Sequence, residues 1–129
     1  MNVLLSIKPK YVEKILNGEK KFEFRKIIFK DGKKIEKVYI YSTSPVKKIV
    51  AYFTIEKIIE DEPEKLWNKY SNSSGIDKDE FFNYFENKEK GYAIKINNLN
   101  EFEEPVDPKS HNPNFRPPQS FCYTGDGYM

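Results

Sequence analysis

The stretch from Ile49 to Ile59 is the feature that most constrains the fold of this chain. It reads IVAYFTIEKII and is dominated by β-branched and aromatic residues, which fit the pleated, half-buried surface of a β-strand. A strand of this length in a small protein must bend around its core, commonly at a bulge. The stretch therefore predicts a curved sheet of the kind found in a small barrel.

Shorter strands surround this long one in the sequence. The first is marked by apolar alternation at Val3, Leu5 and Ile7, because alternate residues of a strand share one face. The other predicted strands are a segment of about residues 21–26, Val38–Tyr41, a strand opening at Gly91, and a short terminal segment, 119–123. We expect a turn at Asp31-Gly32 and a loop across the proline-rich residues 105–118.

Three short helices are predicted between the strands. The first begins at Pro9 and ends before Gly18, since proline suits the first turn of a helix and glycine the position after its end. The second covers Pro63–Tyr70. The third follows Asp77 as N-cap, and Glu80 stands at the third helical position expected of a capping box. Five or six strands with short helices inserted predict an α+β fold, a small β-barrel.

Length and composition place this barrel in one domain, residues 1–129. Apolar residues make up 38% of the chain, which argues against disorder, and no apolar run approaches the roughly 20 residues of a membrane helix. We expect no signal peptide. The single Cys122 excludes an internal disulfide, and with the single His111 it cannot form a structural zinc site. These features predict a cytoplasmic protein with no metal, no cofactor and no membrane partner, and they leave the oligomeric state open.

The charge distribution is uneven along the chain. The net charge is only +2, but residues 1–50 carry a net +8 and residues 51–129 a net −6. A basic face of this kind attracts anionic polymers, although lysines also occur on strand edges, where they discourage edge-to-edge pairing. Both interpretations stand on charge alone.

The segment GEKKFEFR at residues 18–25 carries the most specific pattern, G-x-K-x-x-E-x-R. On a strand, Phe22 and Phe24 share one face, which we expect to be core, while Glu23 and Arg25 share the other. Glu23 and Arg25 can then form an ion pair or present an acceptor and a fork of donors to a ligand. The alternative is an amphipathic strand with a surface ion pair of little energetic value.

This octapeptide resembles the signature of the ASCH domain, a branch of the PUA-like barrels. Gly18, Lys20, Glu23 and Arg25 occupy its four fixed positions. The preceding LSIKP at residues 5–9, together with YSTSP at 41–45 and RPPQSF at 116–121, is similar to segments of small bacterial and phage members. The resemblance covers most of the chain.

The resemblance implies a cleft beside the first helix that binds RNA or a nucleotide. In this sequence Lys20 corresponds to a phosphate or base contact, Glu23 to an acceptor for a base amino group, and Arg25 to a residue that holds Glu23 or reaches a phosphate. The other residues expected to line or close the cleft are Ser6, Lys8, Ser42, Thr43, Arg116, Gln119 and Tyr123. Single-stranded RNA suits such a site because unpaired bases stack on aromatic rings and expose their hydrogen-bonding edges.

An enzymatic function is the alternative. Some small ASCH-like proteins are amidohydrolases that act on acylated cytidine with the motif lysine, a threonine and a later glutamate, and another branch is linked to RNA cleavage. Here Lys20 matches the lysine, Glu23 replaces the threonine, and Glu80 is the later glutamate. A carboxylate cannot replace a hydroxyl nucleophile in the same mechanism, so the match to the amidohydrolases is partial. Lys20, Glu23 and Glu80 remain the candidate catalytic residues of a hydrolase acting on RNA or acylated nucleosides. A protein-interaction domain is the third possibility.

Overall fold

A computed structural model describes residues 1–30, 34–125 and 128. The elements follow in the order β1 Asn2–Ile7, α1 Pro9–Leu16, β2 Phe22–Arg25, β3 Val38–Ser42, β4 Lys48–Asp61, α2 Pro63–Tyr70, α3 Lys78–Tyr84, β5 Gly91–Val106 and β6 Phe121–Thr124. Short 3-10 turns lie at Ser71–Ser73 and Pro108–Ser110. In this part of the chain, every helix is too short and too polar to cross a bilayer.

The strands form one curled sheet in the order β2-β5-β4-β3-β1-β6. The pair β1–β3 is parallel, with Val3 opposite Val38, and the other pairs are antiparallel. The pairing of β4 with β5 shifts register at three points between Ile49 and Lys57, so the predicted bulges in the long strand are confirmed. The predicted α+β class and barrel-type sheet of five or six strands are confirmed as well, with six strands forming a curled half-barrel.

The two outer strands of the sheet meet through side chains. Arg25 of β2 donates from Nη2 to the carbonyl oxygen of Ser6 in β1 at 2.9 Å, and from Nη1 to the Ser120 hydroxyl at 3.2 Å, just before β6. Nearby, the Phe29 and Phe121 rings pack edge to face, with 5.5 Å between their centres. Side-chain contacts therefore join the two edges of the half-barrel at this seam: the Arg25 guanidinium, the Phe29–Phe121 pair, and the Tyr123 hydroxyl, which accepts from the Lys30 N–H. Among the strand pairs described, β2 and β6 share no ladder hydrogen bonds.

The buried apolar residues form three clusters: one inside the curled sheet, a second between the sheet and helices α2 and α3, and a third that includes Leu4, Tyr39 and Phe102. Phe22 and Phe24 enter the second cluster, as predicted, and pack with Leu66, Phe81 and Phe85. This packing fixes the orientation of β2, because adjacent residues of a strand point to opposite faces. Glu23 and Arg25 must then point away from this cluster.

The predicted helix boundaries are close to the observed ones, but the capping box is wrong. Asp77 is the N-cap of α3, yet its side chain makes no capping hydrogen bond. Glu80 instead accepts hydrogen bonds from Lys10 and Tyr11 of α1. An ammonium group and a phenol give a carboxylate stronger, charge-assisted partners than a lone backbone N–H.

The end of β5 also differs from the sequence-based prediction. The strand continues to Val106, whereas its alternating apolar residues end at Ile96. The extra residues are mostly exposed and are held by pairing with β4, such as Ala51 with Glu101. A polar strand of this kind has no apolar periodicity to reveal it. The Asp31-Gly32 turn lies outside the described residues.

Candidate functional site

Lys20, Glu23 and Arg25 come together as a buried ionic cluster. Glu23 Oε1 lies 3.6 Å from Lys20 Nζ, and Oε2 lies 2.7 Å from Arg25 Nη2. The relative exposures are 3% for Lys20, 7% for Glu23 and 6% for Arg25. Two cations thus share one carboxylate away from solvent, and the surface ion pair considered from the sequence is wrong.

Lys20 is enclosed on several sides. Its Nζ donates to the carbonyl oxygen of Ser74 at 2.7 Å and lies 5.0 Å from the centre of the Phe24 ring and 5.5 Å from that of Tyr11. Gly75 approaches so closely that a Cβ on it would fall 2.5 Å from the Lys20 Cβ. Burial lowers the pKa of Lys20, and Glu23 opposes that shift. A buried amine of lowered pKa can hold or accept a proton nearer neutral pH than a surface lysine can.

Arg25 links the cluster to the C-terminal segment. Besides Glu23 it contacts Ser6 and Ser120, while its Nε is buried without a hydrogen-bond partner in the described part of the chain. The guanidinium therefore serves the fold and the cluster at the same time, because its planar fork reaches three groups at once.

The solvent-facing side of the cluster is formed by Tyr11, Glu80 and Lys10. The Tyr11 hydroxyl donates to Glu80 Oε2, and Lys10 Nζ lies 2.9 Å from the same oxygen. Partial burial and the Glu80 carboxylate raise the pKa of Tyr11 to about 12. Hydrogen bonds from Tyr11 and Lys10 lower the pKa of Glu80. At neutral pH this edge therefore offers a protonated phenol beside an ionised carboxylate.

The remaining predicted residues divide between this cluster and other places. The Ser6 hydroxyl donates to the Pro118 carbonyl at 2.7 Å, and exposed Gln119 adjoins Ser120 at the cluster. Lys8 is the exposed N-cap residue of α1, while Ser42 is buried at the end of β3. Of these four residues, Ser6 contacts the cluster, because its backbone carbonyl accepts from Arg25. In the described part of the chain, no hydrogen bond or ion pair joins Lys8, Ser42 or Gln119 to Lys20, Glu23 or Arg25.

Thr43 and Arg116 line a separate cavity of about 530 Å³ between residues 41–48 and 107–117. Lys20, Glu23 and Arg25 do not line this cavity. Tyr123 lies elsewhere, with its hydroxyl accepting a hydrogen bond from the Lys30 backbone N–H at 2.8 Å. The residues that the resemblance assigns to one cleft are thus distributed over three parts of the surface.

Sequence reasoning missed Tyr11, Ser74 and Ser120 at the cluster. Each comes from a different segment, and Ser74 lies 54 residues from Lys20 and Ser120 lies 95 from Arg25. No local spacing signals such contacts. The one usable signal was Gly75, since a glycine in a polar loop can mark a close approach of backbone to another group.

Comparison with known proteins identifies the family. Residues 1–113 match the model of a domain of unknown function, DUF365. The chain belongs to the DUF365 family. The DUF365 chain is also 28% identical over 126 residues to an ASCH domain-containing ribonuclease from Zymomonas mobilis, covering 93% of this chain and 82% of the relative.

Two further similarities concern the fold and the occurrence of this domain. The crystal structure of ASCH from Zymomonas mobilis superposes with a TM-score of 0.85 and 26% identity, covering 95% of the DUF365 chain and 87% of that structure. The ASCH resemblance is thereby confirmed. The DUF365 chain is also 32% identical over 122 residues to ATP synthase subunit alpha of Ureaplasma parvum. This alignment covers 94% of the DUF365 chain but only 15% of that protein.

Proposed function

We propose that this DUF365 domain binds single-stranded RNA at the rim of the Lys20–Glu23–Arg25 cluster. The observation that carries the proposal is the similarity to an ASCH domain-containing ribonuclease along 93% of the chain. The enrichment of lysine in residues 1–50 supports it, because phosphate neutralisation dominates the affinity of proteins for nucleic acid.

The geometry favours contacts at the rim over contacts at the buried groups. Lys20 donates to Ser74, and Glu23 is held by two cations, so neither group is free for a base in this arrangement. The rim consists of three exposed residues: Lys10, which pairs with Glu80, Lys8 at the start of α1, and Gln119 next to Ser120, which Arg25 contacts. All three carry donors for phosphates and base edges. In this proposal the cluster holds the rim in place, and the rim touches the RNA.

A titration of fluorescently labelled single-stranded RNA, followed by anisotropy at several salt concentrations, tests the proposal. Affinity is expected to fall as salt rises, with about 0.7 in the logarithmic slope for each phosphate contact. The double variant Lys8→Gln with Gln119→Ala should bind more weakly, while Lys69→Gln on α2 serves as the control. Absence of binding by the unaltered chain at low salt would refute the proposal.

RNA cleavage at the rim is the second candidate, favoured by the pairing of the Tyr11 phenol with the Glu80 carboxylate. Glu80, whose pKa is lowered, can accept a proton from the attacking 2′-hydroxyl, and Tyr11, protonated at neutral pH, can donate one to the leaving 5′-oxygen. Cleavage is measured by incubating the chain with an RNA and with a DNA of the same sequence. Only the RNA should be cleaved, because attack by a 2′-hydroxyl is possible only in RNA. Loss of cleavage in Tyr11→Phe with binding retained supports this role; unchanged cleavage removes it.

A further inference from the structure

The cavity beside β3 is lined by positive charge. Lys47 and Lys48 approach from one side, Lys109 and Arg116 from the other, and Asp107 is the one carboxylate among its lining residues. We call this cavity the basic groove. All four cationic residues are exposed, so their charged ends are available to a ligand.

Among the described residues, none of these four cationic side chains forms an ion pair. Among the described residues, the ion pairs within 4.0 Å involve other lysines, Arg25 and the N-terminal amine. Asp107 accepts from the Lys109 backbone N–H at 2.9 Å and caps its own turn. A net charge of +3 around a cavity of about 530 Å³ is uncompensated within the described chain, and a polyanion is the ligand that would compensate it.

The backbone of the basic groove is held by short-range hydrogen bonds. On one side the Val46 N–H donates to the Thr43 carbonyl at 3.1 Å, and on the other the Phe115 N–H donates to Asn112 at 2.9 Å. The half-buried Phe115 ring lies 5.6 Å from buried Tyr41. An aromatic ring beside a row of cations is the combination that binds single-stranded nucleic acid, because bases stack while phosphates are neutralised.

The basic groove is connected to the ionic cluster by the C-terminal segment. Arg116 and Pro117 line the groove, Pro118 accepts from Ser6, and Ser120 accepts from Arg25. Ser120 lies three positions after Pro117, which is at most about 10 Å of extended chain. One oligonucleotide is therefore long enough to touch both places.

We propose that the basic groove binds the sugar–phosphate backbone of the RNA strand that reaches the cluster. This inference rests on the proposed function and adds a second contact region to it. The groove supplies affinity without base readout, since phosphate contacts position a strand and base contacts specify it. A larger cavity of about 1250 Å³ beside α2 and α3 is lined by six carboxylates and three lysines, and its net negative charge directs a polyanion away from that side.

The test compares two variants that lose the same charge. The groove variant carries Lys47→Gln, Lys48→Gln and Lys109→Gln; the control carries Lys57→Gln, Lys69→Gln and Lys78→Gln, three exposed lysines outside the groove. Circular dichroism verifies that both fold. Anisotropy with labelled single-stranded RNA should show affinity at low salt reduced by at least about tenfold in the groove variant, with the salt slope smaller by about 2. The control should keep the slope of the unaltered chain.

The outcomes separate the two proposals. If the groove variant and the control bind RNA equally well, the groove is not a contact region, although RNA binding at the rim stands. If the unaltered chain binds no RNA, both proposals fail together. A groove variant that binds less tightly but keeps the full salt slope also contradicts phosphate contact, because lost phosphate contacts must lower the number of counterions released.

Discussion

Glu23 Oε2 lies 2.7 Å from Arg25 Nη2, and the same carboxylate lies 3.6 Å from Lys20 on its other oxygen. One buried anion therefore pairs with two buried cations, and the cluster carries a net charge of +1 when Lys20 is protonated. Removing the anion leaves two like charges uncompensated in a low-dielectric environment, whereas removing Lys20 leaves a neutral pair. The three members of this cluster consequently differ in how much the fold depends on them.

Glu23→Gln is expected to lower the free energy of unfolding by about 3–5 kcal/mol, the usual result of breaking a buried ion pair. Lys20→Met should cost about 1–3 kcal/mol, mainly because the Ser74 carbonyl loses its donor. Urea unfolding of both variants measures which one loses more unfolding free energy. Equal losses, or a larger loss for Lys20→Met, would contradict the charge argument.

The lowered pKa of Lys20 predicts a pH dependence of stability. Between that lowered pKa and the ordinary value of 10.5, the unfolded chain binds a proton that the folded chain does not. Stability contributed by this residue must therefore rise with pH through this interval and level off above 10.5. The difference in unfolding free energy between the unaltered chain and Lys20→Met, measured in urea from neutral to alkaline pH, should grow in favour of the unaltered chain. A difference that is constant or shrinks would show that Lys20 is not desolvated as described.

Gly75→Ala tests the close approach to Lys20. Gly75 has φ +64°, and its added Cβ would fall 2.5 Å from the Lys20 Cβ, whereas Gly18 has φ +87° and open space around it. Gly18→Ala should lose about 1–2 kcal/mol from backbone strain alone, and Gly75→Ala should lose more, because it adds a steric clash. Thermal unfolding of the two variants gives the comparison. Matching losses would mean that the loop moves away from Lys20 without cost.

Arg25→Lys tests the closure of the barrel. Lysine keeps the charge but loses the fork that reaches Glu23, Ser6 and Ser120 together. Hydrogen exchange followed by mass spectrometry should show faster exchange in β6, with β4 and β5 little changed. Lys90→Gln, which breaks an exposed pair with Glu60, is the control and should leave β6 protected. Unaltered β6 exchange in Arg25→Lys would remove Arg25 from the closure.

Glu80→Gln tests the edge formed with Tyr11. Burial is the main cause that raises the pKa of Tyr11 to about 12, and the Glu80 carboxylate is the second cause. Without the negative charge, that pKa should fall toward the ordinary value of 10.0 but stay above it, because burial remains. NMR titration of isotope-labelled tyrosine measures it, with Glu86→Gln as a control at an exposed site. A Tyr11 pKa that does not move would show that the two side chains are apart in solution.

Several local features were accessible from the sequence because their causes are local. Pro9 and Gly18 mark the limits of α1 through their backbone preferences, and Phe22 and Phe24 mark the buried face of β2 by alternation. The continuation of β5 was not accessible, since its polar residues are held by β4 alone. Glu80 misled for a related reason: its spacing from Asp77 fits a capping box, but its partners come from α1.

The sequence by itself determined the alternating strands, the helix ends and the octapeptide that relates this chain to ASCH domains. These depend on steric preferences and periodicities that act within a few residues. Only the tertiary structure decided that Lys20, Glu23 and Arg25 are buried, that Tyr11 and Ser120 join them, and that Thr43 and Arg116 belong to a separate basic groove. Those facts depend on how the curled sheet brings its first and last strands together, and contacts between residues about a hundred positions apart leave no pattern in a single sequence.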